Sequence, residues 1–151
     1  MTRTSILVVE DERIVARDIQ SALERLGYTV TAVVPTGEEA VRKAEETRPD
    51  LALVDIVLAG EMDGIEAARH IRFVLGIPVV YLTAYTDDER LERARTTEPI
   101  GYLVKPYSER ELLATIETAL HQYRASRERA EEALRKSETK FRTIYETANA
   151  I

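Results

Sequence analysis

Five short apolar runs, each followed by a segment of helical periodicity, constrain this chain more than any other feature of its sequence. Ile6-Leu-Val-Val9 reads as a first strand, and Val15, Ile19, Ala22, Leu23 and Leu26 then fall on one helical face. Gly27 stops that helix. Tyr28 to Val34 reads as a second strand, Pro35-Thr36-Gly37 as a turn and Glu38 to Thr47 as a second helix. Leu51 to Ile56 is nearly continuously apolar, as expected of a strand buried on both faces. A loop containing Gly60 and Gly64 leads to a helix over Ile65 to Leu75. Ile77 to Leu82 reads as strand four, Asp87 to Thr97 as helix four and Ile100 to Val104 as strand five. Ser108, with Glu111 three residues on, predicts the start of a last helix that runs into the 130s. Strict alternation implies right-handed crossovers and a parallel sheet covered by helices on both faces. Five strands in about 123 residues suit an open, doubly wound α/β sheet and not an eight-stranded barrel.

Composition then removes whole classes of chemistry. With no cysteine among 151 residues, thiolate zinc sites, iron–sulfur clusters, thiol nucleophiles and disulfide staples are excluded. Apolar runs such as LALV and IPVVYL are far short of the ~20 residues that a membrane helix requires. Met1-Thr-Arg-Thr4 leads straight into the first strand without the pattern of a signal peptide. A cytoplasmic chain with no membrane contact is expected. The formal net charge of −6 argues against indiscriminate nucleic-acid binding, so no DNA binding is expected. His70 and His121 are too far apart to suggest a histidine-rich metal site, and both read as surface or half-buried helical residues. Neither has the neighbourhood of a kinase phosphoacceptor histidine, so no kinase activity is expected of these residues.

The charge is unevenly distributed. Residues 1–123 carry 14 basic and 22 acidic side chains, a balance of −8, whereas residues 124–151 carry seven and five, a balance of +2. In this second segment Glu131–Arg135, Glu132–Lys136 and Glu138–Arg142 are i,i+4 pairs in the favourable orientation for an exposed helix. Positions 113, 116, 120, 123, 127, 130, 134, 137, 141 and 144 follow alternating three- and four-residue steps. Eight of the ten are apolar or aromatic, the seam being broken by Arg127 and Ser137. That pattern leaves two structures open, a coiled-coil-like continuation of the last helix and a plain extended helix in solvent.

In an open parallel sheet, ligands bind beyond the carboxyl ends of the strands, where the strand order reverses. Strand one ends in Glu10-Asp11, strand three carries Asp55, strand four ends at Thr83 and strand five at Lys105-Pro106. Three carboxylates, one hydroxyl and one ammonium therefore converge from four strands. Clustered carboxylates repel, so ionising all three requires a compensating cation. An all-oxygen donor set favours Mg²⁺ or Mn²⁺, kept partly hydrated and shared with a phosphate. A carboxylate can act as the nucleophile that forms an aspartyl-phosphate. Lys105 and Thr83 could then hold the oxygens of the transferred group, because phosphoryl transfer is mainly positioning and charge compensation. The plainer alternative is a buried Lys–Asp ion pair beside a structural metal.

The segments VVEDE, LVDIVL, YLTAY and GYLVKPY, with Glu10/Asp11, Asp55, Thr83-Ala84 and Lys105-Pro106 inside them, resemble the receiver domain of two-component response regulators over about residues 4–123. The resemblance implies a flavodoxin-like (βα)5 fold with strand order 2-1-3-4-5. It implies Asp55 as phosphoacceptor and Mg²⁺ held by Glu10, Asp11, Asp55 and the backbone carbonyl of Val57. Lys105 corresponds to the phosphate-contacting lysine, whose bond to the following proline is usually cis. Thr83 corresponds to the mobile hydroxyl and Tyr102 to the coupled aromatic switch. By the same resemblance, the partner is a histidine kinase or phosphotransfer protein, and switching acts on the face of helix four, strand five and helix five. Val57 and Tyr85 match positions that tune phosphoryl lifetime, and an apolar Val57 implies slow self-dephosphorylation. Three departures stand out: Glu10 where aspartate is commoner, a Leu58–Gly64 loop one residue longer without its usual proline, and Thr97-Glu-Pro-Ile-Gly101 before strand five.

The stretch AEEALRKSETKFRTIYETA, from Ala130 to Ala148, resembles the linker helix and first residues of a PAS sensor domain. The expected organisation is a receiver over 1–123 and a helical linker over 124–151, with homodimerisation through the last helix and a PAS- or kinase-type output domain beyond. A stand-alone receiver with a helical tail is the alternative. Other classes fit less well. A haloacid-dehalogenase-type phosphatase wants a second carboxylate where Val57 stands. A flavin or nucleotide module wants a Gly- or Ser/Thr-rich loop where Glu10-Asp11-Glu12 stands. A phosphorylation-independent dimerisation module of the same fold is the remaining reading.

Overall fold

The computed structural model describes residues 3–84 and 88–149. The elements alternate as β1 (Ser5–Val9), α1 (Arg13–Arg25), β2 (Thr29–Val34), α2 (Gly37–Thr47), β3 (Leu51–Asp55), α3 (Gly64–Phe73), β4 (Val79–Thr83), α4 (Asp88–Arg95), β5 (Gly101–Val104) and α5 (Glu109–Asn149). The strands form one sheet in the order β2-β1-β3-β4-β5, every pairing parallel. This is the flavodoxin-like doubly wound arrangement, and its strand order reverses between β1 and β3.

Apolar runs without visible alternation follow from two covered faces, since successive side chains in a strand point to opposite sides. Leu7, Val9, Ala52, Val54, Val79 and Tyr81 pack with Ala40, Ile65, Ala68, Ile71 and Ala94, which come from α2, α3 and α4. Ile6, Val8, Leu51, Leu53, Val80, Leu82 and Leu103 pack with Ile19, Leu23, Leu112 and Ile116 from α1 and α5.

Several element ends differ from the sequence-based expectation, each for a local reason. Gly27, at φ +96°, follows α1 as expected, and its N–H bonds back to the Glu24 carbonyl. Helix α3 ends at Phe73 instead of Leu75, where the Val74 and Leu75 amides both turn back to the His70 carbonyl. Strand β4 starts at Val79, since Pro78 has no N–H to offer the ladder. Helix α4 ends at Arg95, because the Thr96 and Thr97 hydroxyls bond to the Arg93 and Ala94 carbonyls, each at 2.6 Å. The Ser108 hydroxyl accepts from the Glu111 N–H at 3.1 Å, as expected of an N-cap.

Helix α5 runs unbroken to Asn149, the extended last helix that the sequence predicts. No glycine or proline occurs after Pro106, so nothing local interrupts it. By compactness the chain divides into residues 1–120 and 121–151. Within the second unit Leu134, Phe141, Ile144 and Tyr145 are all exposed. Arg135 pairs with Glu132 at 2.7 Å, an i,i+3 contact, and not with the Glu131 expected from i,i+4 spacing. Arg127, which breaks the apolar seam, lies over the ring of Tyr123 at 5.8 Å. Among the described residues, no helix is long and apolar enough to cross a membrane.

Candidate functional site

Each strand around the reversal point delivers one polar group at its carboxyl end. Glu10 follows β1 directly, Asp55 ends β3, Thr83 ends β4 and Lys105 follows β5. The ladder fixes their relative heights: the Glu10 N–H bonds to the Val34 carbonyl at 3.0 Å, and the Lys105 N–H to the Thr83 carbonyl at 2.7 Å. Glu10, Asp55 and Thr83 are buried, while Asp11 is half-buried.

The side chains of four of these residues meet. Lys105 Nζ donates to Asp55 Oδ2 at 2.7 Å and to Glu10 Oε2 at 3.1 Å. Carboxylate oxygens of Glu10, Asp11 and Asp55 lie within 4.8 Å of one another. A backbone N–H aims each carboxylate: Glu12 N–H to Glu10 Oε1 at 3.2 Å, Ala59 N–H to Asp11 Oδ2 at 3.1 Å, and Val57 N–H to Asp55 Oδ1 at 2.8 Å. Two of those donors come from the long loop after β3. It is held in turn by the Met62 N–H on Glu38 Oε1 at 3.2 Å and by the Arg93–Asp63 ion pair at 3.1 Å. Asp63 also caps α3 through the Glu66 N–H at 2.8 Å.

Three carboxylates oriented in this way, with no soft donor, could hold Mg²⁺ or Mn²⁺. In the arrangement described, the Lys105 ammonium supplies the compensating charge for Glu10 and Asp55. Burial, then the hydrogen bond and charge of Asp55, push the Glu10 carboxyl from its ordinary 4.5 up to about 7. Burial alone would lower the Lys105 ammonium, but the hydrogen bonds and charges of Asp55 and Glu10 hold it above its ordinary value.

A pH dependence follows from Glu10. Because its folded value is raised, the contribution of Glu10 to metal-free stability should decline as pH rises from about 4.5 to about 7, the range in which the unfolded carboxyl ionises before the folded one. A divalent cation needs the ionised form, so Mg²⁺ affinity should fall about tenfold per pH unit below about 7 and level off above it. Calorimetric Mg²⁺ titrations at about pH 6 and pH 8 check this, and equal affinities would contradict it.

Thr83 and Tyr102 make contacts of their own. The Thr83 hydroxyl donates to the Ala84 carbonyl at 3.2 Å. Tyr102 is half-buried and stacks on Tyr81, its direct partner across β4 and β5, with ring centroids 6.0 Å apart. The Lys105–Pro106 bond is cis. Val57 is 44% exposed beside the cluster. His70 is half-buried and His121 exposed. Tyr85 lies outside the described residues.

Gly64 carries a constraint that composition and spacing do not reveal. A Cβ there would run into the backbone carbonyl of Asp55, so the start of α3 is seated directly on the candidate nucleophile's main chain. Gly64→Ala should destabilise the fold by about 1–3 kcal/mol and weaken Mg²⁺ binding, both read from denaturant unfolding with and without Mg²⁺.

The family described as the response regulator receiver domain matches residues 6–117. The transcriptional regulatory protein PdtaR of Mycobacterium tuberculosis is 37% identical over 119 residues, covering 79% of this chain and 58% of its own. The signal receiver domain of a modulated diguanylate cyclase from Desulfovibrio desulfuricans G20 is 41% identical with a TM-score of 0.78, covering 83% of this chain and 99% of its own. The N-terminal domain of a response regulator/sensory box/GGDEF 3-domain protein from Carboxydothermus hydrogenoformans is 40% identical with a TM-score of 0.74, covering 81% of this chain and 98% of its own. The chain spans about half the length of the curated relatives it matches.

Proposed function

This chain belongs to the response regulator receiver domain family, and from that premise we propose that Asp55 takes a phosphoryl group from a phosphohistidine on a partner histidine kinase or phosphotransfer protein. The observation that carries the proposal is the meeting of Asp55 with Lys105 at 2.7 Å inside a cluster of three carboxylates. In the transfer, Asp55 Oδ2 forms the new O–P bond as the histidine N–P bond breaks, and the imidazole nitrogen leaves with the electron pair. Glu10, Asp11, Asp55 and the Val57 carbonyl would hold Mg²⁺, which neutralises charge on the phosphoryl oxygens. Val57 N–H keeps the carboxylate oriented during attack. Lys105 moves its hydrogen bond from Asp55 Oδ2 to a phosphoryl oxygen, so its positive charge stays in the site throughout. The Thr83 hydroxyl turns from Ala84 toward the phosphoryl group, and Tyr102 repacks with it. The chain acts as a phosphoacceptor and signal switch, with no kinase activity of its own.

The experiment is incubation with Mg²⁺ and beryllofluoride, a mimic of the phosphoryl group, followed by native mass measurement. A single Mg²⁺-dependent adduct supports the reading. Mg²⁺ binding with no adduct would favour the phosphorylation-independent dimerisation module instead.

The output lies beyond the receiver. The likeness of residues 130–148 to a PAS linker supports a sensor domain following residue 151, and so does the similarity to the first domain of a response regulator/sensory box/GGDEF protein. Exposed Leu134, Phe141 and Ile144 support pairing of two copies through the α5 extension. Phe141→Asp should then shift sedimentation from dimer to monomer, with about tenfold or greater weakening of self-association. Unchanged sedimentation of a dimeric wild type would contradict the seam.

A further inference from the structure

The segment joining α4 to β5 is anchored by buried groups that the phosphoryl chemistry does not use. Tyr81 and Thr97 are both fully buried, and their hydroxyl oxygens are 2.7 Å apart. The Thr97 proton is committed to the Ala94 carbonyl at 2.6 Å, so Tyr81 is the donor, and a relay runs from Tyr81 through Thr97 to the last turn of α4. Tyr81 is itself fixed within β4, between β3 and β5. Helix α3 adds two further ties: Arg69 to the Thr96 hydroxyl at 2.9 Å and Arg72 to the Glu98 carbonyl at 3.1 Å. Glu98 adopts φ +50°, the left-handed conformation that ends a helix, and Pro99 follows it. The opposite end of α4 is different in kind. Its first turn, Asp88–Arg90, is exposed.

We propose that the Tyr81–Thr97–Ala94 relay makes the C-terminal end of α4 a fixed pivot, about which phosphorylation swings the N-terminal end. Breaking the relay would leave buried hydroxyls without water to replace their partners, whereas polar groups of the exposed first turn have water at hand. Tyr81 is thus a positioning residue: its hydroxyl holds the pivot, and its ring is the surface on which Tyr102 packs. The swing rests on the reading of Asp55 as phosphoacceptor, while the pivot stands on the relay alone.

Amide hydrogen exchange of the full chain, with and without Mg²⁺ and beryllofluoride, tests both parts. In the wild type, the ligand should change exchange over Asp88–Leu91 and leave Thr96–Ile100 unchanged. In the ligand-free protein, Tyr81→Phe should speed exchange over Thr96–Ile100 by about tenfold, the scale of one buried hydrogen bond. On adding beryllofluoride, the response of this variant should spread into that segment. Thr97→Val should loosen the segment more, because it strands the Tyr81 hydroxyl, and the double variant should be no worse than Thr97→Val alone. Equal responses at both ends of α4 in the wild type would overturn the pivot, as would wild-type exchange in ligand-free Tyr81→Phe. No response to beryllofluoride at any amide would overturn the Asp55 reading and the swing, with the effect of Tyr81→Phe on the ligand-free protein unaltered.

Discussion

Replacing Asp55 by alanine should abolish covalent phosphoryl uptake from a small acyl phosphate, to below about one per cent of the wild-type level. The fold should survive this change. Lys105 keeps Glu10 as a counter-charge at 3.1 Å, so its ammonium is not left unpaired. The Glu10 carboxyl should move back toward its ordinary value, because the hydrogen bond and charge of Asp55 both raise it. It should not return fully, since burial is the largest cause and remains. Mg²⁺ affinity should fall, because one of three carboxylates is gone. Labelling by mass spectrometry and Mg²⁺ calorimetry on the same variant check these effects. Wild-type labelling of Asp55→Ala would show that another residue accepts the group.

Lys105→Ala should separate metal binding from phosphoryl transfer. Without its ammonium, nothing offsets developing charge on that side of the phosphoryl group, and labelling should slow by about 10²–10³-fold. Mg²⁺ affinity should move the other way, because the cation no longer competes with an ammonium for Glu10 and Asp55. Stability without Mg²⁺ should drop by about 2–3 kcal/mol at neutral pH, below the full penalty for a broken buried pair because the Lys105 side chain keeps 30% exposure. Added Mg²⁺ should recover much of that loss. A variant that loses Mg²⁺ binding along with labelling would place Lys105 in support of the metal site instead.

Periodicity made the sheet legible because both its faces are covered, which leaves unbroken apolar runs such as Leu51–Val54 that are hard to mistake. The strand-end rule brought Glu10, Asp55 and Lys105 together without knowledge of any contact, and Asp11 followed from its neighbour. Backbone geometry was not legible in the same way. The Val57 and Ala59 N–H groups that aim two carboxylates carry no side-chain signal, and nothing in the sequence marks Gly64 as the loop position where a Cβ would meet the Asp55 carbonyl. Thr96 and Thr97 hid the end of α4 because their hydroxyls compete for carbonyls that a periodic pattern assigns to the helix. The Tyr81–Thr97 bond spans 16 residues, beyond the reach of any local pattern. The extended last helix was legible from the three- and four-residue steps that continue to position 144 and from its i,i+4 charge pairs.

Reductive trapping reads directly whether the Asp55 carboxylate becomes an acyl phosphate. After incubation with a small acyl phosphate and Mg²⁺, borohydride should convert the acyl-phosphate side chain to an alcohol, and peptide mapping should find that conversion at Asp55 alone. Omission of Mg²⁺ should prevent it. Reduction at Glu10 or Asp11, or at no residue despite bound Mg²⁺, would contradict the account.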